Sequence, residues 1–377
     1  MRLAALMRIA RVQTAFDRGQ ARITFEMALE EAQRLKGRER ESMLQLARLI
    51  VAAVAPDLLD QIPSGSHGPK RQFESGMLVK TMLDHNLTDA AFQYVSDYKD
   101  VSTIPLGYFP NVIQRMKDDE PKLTLLRHAT KAWRKMPDNH SRSDFLHIFQ
   151  NLWRLMPLDE AQDLAREIVR DSLDRPDRAT TAGYFEGVAF TSHREHTLFG
   201  IIHIVQHLDP PLAESLSAGH EQLASAIRRF PHGWESIFEE SEERRKQSMA
   251  TGAACGGGFG MAGNPKDKPY MMAMMQASKD ADYRPAIAHA LEQYQRDIDP
   301  NSPNLAPKPV WPSTSSFRSI LYQAGKQIGA DAAVYLDRVP EDDLRLFAHI
   351  ELEAALAGLP ELQAMQSMYR PPQRPDR

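Results

Sequence analysis

A row of histidines is the first feature of this sequence that can carry chemistry. The segment HREHTLFGIIHIVQHLDP contains His193, His196, His203 and His207. In an α-helix, positions 196, 203 and 207 lie on one face, because they differ by seven and four residues. Imidazoles at positions i and i+4 can chelate one metal ion. We therefore interpret His196, His203 and His207 as candidate ligands of one divalent metal ion.

The same row also fits a helix face that binds no metal. The zinc-protease pattern places a glutamate directly after the first histidine of the pair, and Ile204 stands at that position here. A ligand from the next predicted helix, such as His220 or Glu221, would have to complete the coordination. Two interpretations remain open: an all-α metal-dependent enzyme, or a row of structural histidines.

A glycine-rich segment at 249–269 carries the other possible motif. It holds six of the twenty glycines and the only cysteine, Cys255, so an intramolecular disulfide is excluded. The G-x-G-x-x-G at 258–263 would bind a dinucleotide only after a strand and before a helix, and this context is missing. A lone cysteine without a local base indicates no nucleophile. We interpret the segment as a linker or loop, and we assign no catalytic or cofactor-binding residue.

Charge and composition exclude several classes of partner. The 377-residue chain has a net charge of −4, so we expect no nucleic-acid partner. The N-terminus is locally basic through Arg2, Arg8, Arg11, Arg18 and Arg22, which permits contact with an anionic membrane surface, but a first helix packed on the second is the favoured interpretation. No run reaches about eighteen apolar residues and no signal peptide is evident. We expect a cytoplasmic protein without a membrane span.

Apolar residues recur at helical spacing along nearly the whole chain. The segments 22–36, 121–136 and 141–155 repeat them every three or four positions, and no sustained period-two alternation occurs. From Met43 to Ala55 only two of thirteen residues are polar, which predicts a helix buried on all sides. The sequence therefore predicts an all-α protein.

Prolines mark tight turns between the predicted helices. The pairs are Ala55-Pro56, Met136-Pro137, Met156-Pro157, Asp209-Pro210, Val339-Pro340 and Leu359-Pro360. Proline suits the first turn of a helix and disfavours helical geometry in the residue before it. Because consecutive helices joined by short turns usually pack antiparallel, we predict helical pairs stacked as an irregular α-solenoid.

Three segments carry a resemblance to known proteins. ALEEAQRL, LDEAQDLAREIV and LAESLSAGHEQLASAIRRF alternate small alanines with leucines. With this alternation the chain resembles helical-repeat proteins of the tetratricopeptide or HEAT kind. The resemblance is limited to architecture, because the tetratricopeptide and ankyrin consensus patterns are absent. The resemblance implies an extended surface for partners. We therefore expect a non-enzymatic scaffold that mediates protein–protein interaction with an unidentified protein partner.

The glycine-rich segment divides the predicted organisation. We expect a helical-repeat region at 1–248, the linker or loop at 249–269, and a C-terminal helical region at 270–369. Five prolines predict an extended loop at 299–316 within that last region. The residues at 370–377 are predicted to form a disordered tail.

Overall fold

A computed structural model describes most of the chain, and the prediction of an all-α protein is confirmed. The described residues are 2–64, 69–136, 141–180, 190–233, 235–237, 239–240, 243, 268–298, 315–339 and 341–362. Within these ranges the regular elements are helices, and β pairing is limited to an isolated bridge between Ala179 and Ser192. Nearly all of the predicted linker and proline-rich loop, and all of the predicted tail, lie outside the described residues.

The helices follow one another closely along the described chain. The α-helices are α1 (Arg2–Gln13), α2 (Arg18–Arg34), α3 (Gly37–Val54), α4 (Pro69–Asp84), α5 (Thr88–Ser96), α6 (Phe109–Arg115), α7 (Asp119–Lys135), α8 (Ser141–Leu152), α9 (Leu158–Asp174), α10 (His193–Leu208), α11 (Pro210–Gly219), α12 (Glu221–Arg229), α13 (Lys268–Asp280), α14 (Arg284–Ile298), α15 (Ser315–Ile328) and α16 (Asp342–Leu356). The 3₁₀ helices are Pro56–Gln61, Val101–Thr103, Leu106–Tyr108, Trp153–Leu155 and Gly329–Arg338.

Local sequence signals explain several helix starts. Asp17, Ser192 and Asp209 cap α2, α10 and α11, because each side chain accepts a hydrogen bond from a free backbone N–H of the first turn. Pro56 and Pro210 occupy the first positions of their helices, as the proline pattern predicts.

Some predicted boundaries differ from the structure. Pro157 is the cap residue before α9 instead of its first helical position. The segment LAESLSAGHEQLASAIRRF forms two helices, because the chain leaves helical geometry at His220. The pair Leu359-Pro360 does not mark a helix start, since the described residues 360–362 are not helical.

The chain forms two compact units. Unit 1 comprises Met1–Tyr94 and Met261–Arg377, and unit 2 comprises Val95–Gly260. In unit 1, α1 packs on α2 and α3, as expected for a first helix, but also on α16 near the other end of the chain. The grouping of both chain ends in one unit has no counterpart in the sequence-based division at 249–269.

The predicted burial of the helix at 43–55 is confirmed. Its apolar residues are buried, and its two polar residues, Gln45 and Arg48, are half-buried.

Close packing also marks the contact of α15 with α16 in unit 1. A methyl group on Gly325 would lie 2.7 Å from a Leu352 methyl and 3.0 Å from the Ala355 Cβ, so α16 approaches α15 where there is no side chain.

Unit 2 contains two consecutive antiparallel helix pairs. The rings of Trp133 at the end of α7 and Phe145 at the start of α8 stack 5.0 Å apart. Gln162 at the start of α9 donates a 2.9 Å hydrogen bond to the carbonyl of Leu208 at the end of α10. Helix α8 therefore runs back along α7, and α10 runs back along α9. The connection between α7 and α8 is short, as is usual for such pairs, whereas residues 175–192 separate α9 from α10.

Candidate functional site

Helix α10 carries the histidine row and is buried along most of its length. His203 is 8% exposed, and its Nε2 lies 3.9 Å from Oε1 of Glu235. Burial lowers the pKa of His203 below its usual value, while Glu235 acts in the opposite direction. His207 is exposed, and its ring packs against Trp153 with 5.1 Å between the ring centroids.

His196 lies in a third, different environment. Its ring meets the edge of Phe190 with the centroids 5.7 Å apart, and burial lowers its pKa to about 4. The possible additional ligand His220 instead has its Nδ1 3.7 Å from Oε1 of Glu195. Among the described residues, no group of three His, Cys, Asp or Glu side chains is arranged to hold a metal ion. The metal site stays a prediction, which metal analysis of the purified protein and of His203→Gln tests.

A second group of titratable side chains lies inside unit 1. Helix α1 supplies Arg8 and Arg11, α15 supplies Arg318, and α16 supplies Glu351, with side-chain exposures of 5%, 2%, 12% and 2%. We call these four residues the arginine cluster. Arg8 pairs directly with Glu351, whose carboxylate oxygens also lie 3.6 Å from Arg318 and 4.0 Å from Arg11. Three guanidinium groups thus share one buried carboxylate.

Burial dominates the electrostatics of the arginine cluster. It lowers the pKa of Arg8 to about 9, helped by repulsion from Arg318 and opposed by Glu351. Burial also lowers the pKa of Arg11 and of Arg318. Arg8 further lies over the ring of Phe347, 5.6 Å from its centroid. The cluster is therefore held in its charged form mainly by Glu351.

Arg11 extends the arginine cluster towards the C-terminal segment. It donates hydrogen bonds to the carbonyl of Pro360 and, over 3.4 Å, to Nε2 of His85. Burial and, to a smaller extent, the charge of Arg11 together lower the pKa of His85 to about 4. His85 is therefore a neutral acceptor. The two hydrogen bonds of Arg11 connect α1 with His85, which follows α4, and with Pro360, which follows α16.

The cleft beside Arg11 has no consistent charge. Its charged lining combines Lys80 and Arg11 with Asp84 and Glu361, and Lys80 already pairs with Asp84 at 2.5 Å. Since both signs of charge line the cleft, its walls select neither an anion nor a cation. We interpret the arginine cluster and this cleft as structural features of unit 1.

The pattern of α1 contained a signal for the arginine cluster. Ala4, Met7, Arg8 and Arg11 follow the spacing i, i+3, i+4, i+7, which places them on one face of the helix. The alternative of a basic N-terminal surface required both arginines to be exposed. It is corrected for Arg8 and Arg11, which are buried at 4% and 2% exposure.

Helix α2 is apolar on two sides. Its inner side is buried through residues spaced at helical intervals: Ala21, Phe25, Ala28, Leu29 and Ala32. On the opposite side Ile23 is 53% exposed and Met27, one turn later, is 67% exposed. Phe16, just before the helix cap, is 75% exposed. We call Ile23, Met27 and Phe16 the α2 outer face.

Other exposed apolar side chains are more widely separated along their helices. On α9, Leu158 and Leu173 are 68% and 36% exposed, but they lie at opposite ends of the helix. On α16, Leu346 and Leu356 are ten positions apart. Single exposed apolar residues are normal on a protein surface, whereas neighbouring ones indicate a contact site. The α2 outer face is therefore the strongest candidate for a binding surface in the described residues.

Two matched ion pairs link α7 and α9 in unit 2. Arg127 pairs with Glu160 at 2.9 Å and Arg134 with Glu167 at 2.6 Å, each across 33 residues of sequence. Both helices advance by seven residues between the pairs, so they run parallel and in register. Neither ion pair was predicted, although the equal offset of the two arginines and the two glutamates is present in the sequence.

No protein-family model, curated protein or solved structure matches this chain. Among the described helices, none combines the length and the apolar character needed to cross a membrane.

Proposed function

We propose that this protein is a non-enzymatic helical scaffold that binds another protein on the α2 outer face. The exposure of Ile23 and Met27 carries the proposal, because both lie on one side of a helix whose other side is fully packed. Water contact with apolar surface is unfavourable by roughly 25 cal/mol per Å². A partner that covers these side chains recovers this free energy.

The chemistry of the surface selects an amphipathic helix as the partner. Two apolar side chains one turn apart match the i, i+4 anchors with which such a helix docks on a complementary surface. Met27 adds a flexible thioether chain that adapts to the shape of an opposing side chain. The charged neighbours Glu26, Glu30 and Arg34 would lie at the rim of the contact.

The arrangement of unit 2 supports a scaffold role. Helices α7 and α9 run parallel at an offset of 33 residues, each followed by an antiparallel partner. Gln150 of α8 also donates a hydrogen bond to the carbonyl of Gly200 of α10, so the second helices of the two pairs are neighbours as well. Stacked pairs of this kind build the surfaces of helical-repeat proteins, and the α-solenoid remains part of our proposal.

Site-specific photocrosslinking tests the proposal. A photoreactive phenylalanine analogue is placed at Met27 or, as the control, at Leu158, whose exposures are 67% and 68%. In the native organism we expect a defined protein adduct from position 27 and none from position 158. The adduct should disappear when Ile23→Glu is added, because a carboxylate at the centre of the contact would lose its hydration.

The captured protein must then bind in purified form. We expect Ile23→Glu to weaken its affinity at least tenfold, or about 1.4 kcal/mol, and Leu158→Glu to leave it unchanged. Equal adducts from both positions, or no adduct from position 27, would overturn the proposal.

A further inference from the structure

We propose that residues 359–362, which follow α16, form a strap over the cleft beside Arg11, and that acid releases this strap. A single side chain carries the inference, because Arg11 donates hydrogen bonds both to the strap and to His85, a group that titrates. The device goes beyond the proposed function and involves none of the residues of the α2 outer face.

The strap lies against its neighbours without being part of a helix. Its four residues are non-helical and half-buried. Because the strap belongs to no helix, it can leave the cleft without breaking a hydrogen bond inside a helix. Side chains of α1 and α15 hold it at three successive residues: Tyr322 donates to the Leu359 carbonyl at 2.8 Å, Arg11 to the Pro360 carbonyl, and Gln323 to the Glu361 carboxylate at 3.2 Å.

The strap covers a cleft that contains His85. The imidazole belongs to a residue that is only 6% exposed while the strap is in place. Departure of the strap would therefore bring water to His85 and to the guanidinium of Arg11. The lining of the cleft includes Pro360, Glu361 and Leu362 of the strap together with Met77 and Thr81 of α4 and His85 directly after it.

Arg11 couples the protonation of His85 to the strap. Its Nε donates to Nε2 of His85 over 3.4 Å, and only a neutral imidazole can accept this hydrogen bond. A proton on Nε2 removes the acceptor and places two cations side by side, which is unfavourable. The Glu351 carboxylate lies 4.0 Å from Nη1 of Arg11 and offers an alternative partner. A turn of the guanidinium towards Glu351 releases the Pro360 carbonyl.

The other charges around His85 do not offset this repulsion. Arg18 of α2 is a second cation near His85, and Asp84 is the neighbouring anion. Asp84 already pairs with Lys80 at 2.5 Å, so its charge is partly neutralised. Glu361 belongs to the strap and leaves with it. A protonated His85 is therefore better solvated when the strap is open and water enters the cleft.

Proton linkage gives the direction and the size of the effect. With the strap closed, burial and the charge of Arg11 hold the pKa of His85 at about 4. With the strap open, hydration returns this pKa towards the ordinary 6.5. The open form binds the proton more tightly, so its population rises as the pH falls from 6.5 towards 4. Between pH 7 and pH 5 the ratio of open to closed molecules should rise about twentyfold.

Thiol labelling of the full chain measures the opening of the strap. The reporter is Thr81→Cys, at a lining position that is 9% exposed, in a Cys255→Ser background without other cysteines. Its labelling rate with a neutral aryl disulfide is divided by the rate for the same protein in urea at the same pH. This correction removes the pH dependence of the thiol itself. Val51→Cys, at a fully buried position of α3, reports global unfolding.

We expect the corrected rate of Thr81→Cys to exceed that of Val51→Cys at least tenfold, because opening the strap needs no unfolding. It should rise about twentyfold between pH 7 and pH 5. His85→Gln should reduce this rise to less than about threefold, since glutamine accepts the same hydrogen bond but does not titrate. The matched control, Tyr322→Phe, removes one contact of the strap and should raise the rate about fivefold at both pH values.

Equal corrected rates for Thr81→Cys and Val51→Cys would show that the cleft opens only on global unfolding, which would overturn the strap. A corrected rate that does not rise at pH 5, or a twentyfold rise that persists with His85→Gln, would overturn the coupling to His85. Circular dichroism checks that each variant is folded. If Thr81→Cys is not, Met77→Cys at another lining position with 9% exposure decides the same comparison.

Discussion

The two compact units bring opposite charges together in contrasting ways. In unit 1 the Arg8–Glu351 pair joins helices 343 residues apart, with side chains 5% and 2% exposed. In unit 2 the Arg134–Glu167 pair joins helices 33 residues apart, with side chains 52% and 37% exposed. The first pair is part of the interior, and the second lies in contact with water.

This difference in burial decides what each pair contributes to stability. Water solvates the Arg134 and Glu167 side chains whether or not they meet, so their pairing gains little. The side chains of the arginine cluster are largely removed from water, and the Glu351 carboxylate is the group that pairs with all three guanidinium groups. Removal of one partner from a buried pair leaves an uncompensated charge, which is far more costly than loss of a surface pair.

The largest expected effect follows from removing the charge of Glu351. Glu351→Gln keeps the shape of the side chain but removes the one carboxylate that lies within 4.0 Å of all three buried guanidinium groups. We expect unit 1 to lose about 3–5 kcal/mol of unfolding free energy. Hydrogen exchange of peptides from α1 and α16, the helices that carry Arg8, Arg11 and Glu351, measures this loss of unfolding free energy.

The matched control is Glu353→Gln, two positions away on the exposed side of α16. It should change the free energy of unfolding obtained from the same hydrogen-exchange measurement by less than about 0.5 kcal/mol. A comparable, small effect of both variants would show that the arginines are compensated by other groups, and the contrast between the units would then disappear.

An intermediate effect is expected from His85. Its pKa falls from an ordinary 6.5 to about 4 on folding, so the unfolded chain binds the proton more tightly. Stability from this group is present above pH 6.5 and is lost as the pH falls from 6.5 towards 4. The expected loss between pH 7 and pH 5 is about 2 kcal/mol.

His85→Gln isolates this contribution. Glutamine can still accept the hydrogen bond from Arg11 but does not titrate, so the variant should lose about 2 kcal/mol less than the wild type over that pH range. Denaturant unfolding at pH 7 and pH 5 gives both values. Parallel pH dependences of the two proteins would contradict the assignment.

The smallest effect is expected for the surface pair in unit 2. A double-mutant cycle with Arg134→Ala and Glu167→Ala should give a coupling energy of about 0.2–1 kcal/mol. Tryptophan fluorescence, to which the buried Trp133 and Trp153 of unit 2 contribute, reports the unfolding. The coupling should shrink further at 1 M salt, and a coupling above about 2 kcal/mol would place this pair in the same class as the arginine cluster.

The sequence by itself determined the helices and much of their inner faces. Helical periodicity depends on local geometry, since side chains three and four positions apart share a face whatever covers them. It therefore predicted one apolar face for the helix at 22–36, on which Phe25, Ala28, Leu29 and Ala32 are buried and Leu35 is half-buried. It also predicted the burial of the helix at 43–55. Helix starts at Pro56 and Pro210 are also local, because proline restricts its own backbone and that of the preceding residue.

Only the tertiary structure decided which helix covers each face. Arg8 and Arg11 share a face with Ala4 and Met7, but their burial depends on Glu351, which lies more than 300 residues further along the chain. Periodicity contains no information about so distant a neighbour. For the same reason the sequence showed Ile23 and Met27 only as apolar residues of α2, and their exposure followed from where α1 and α3 pack.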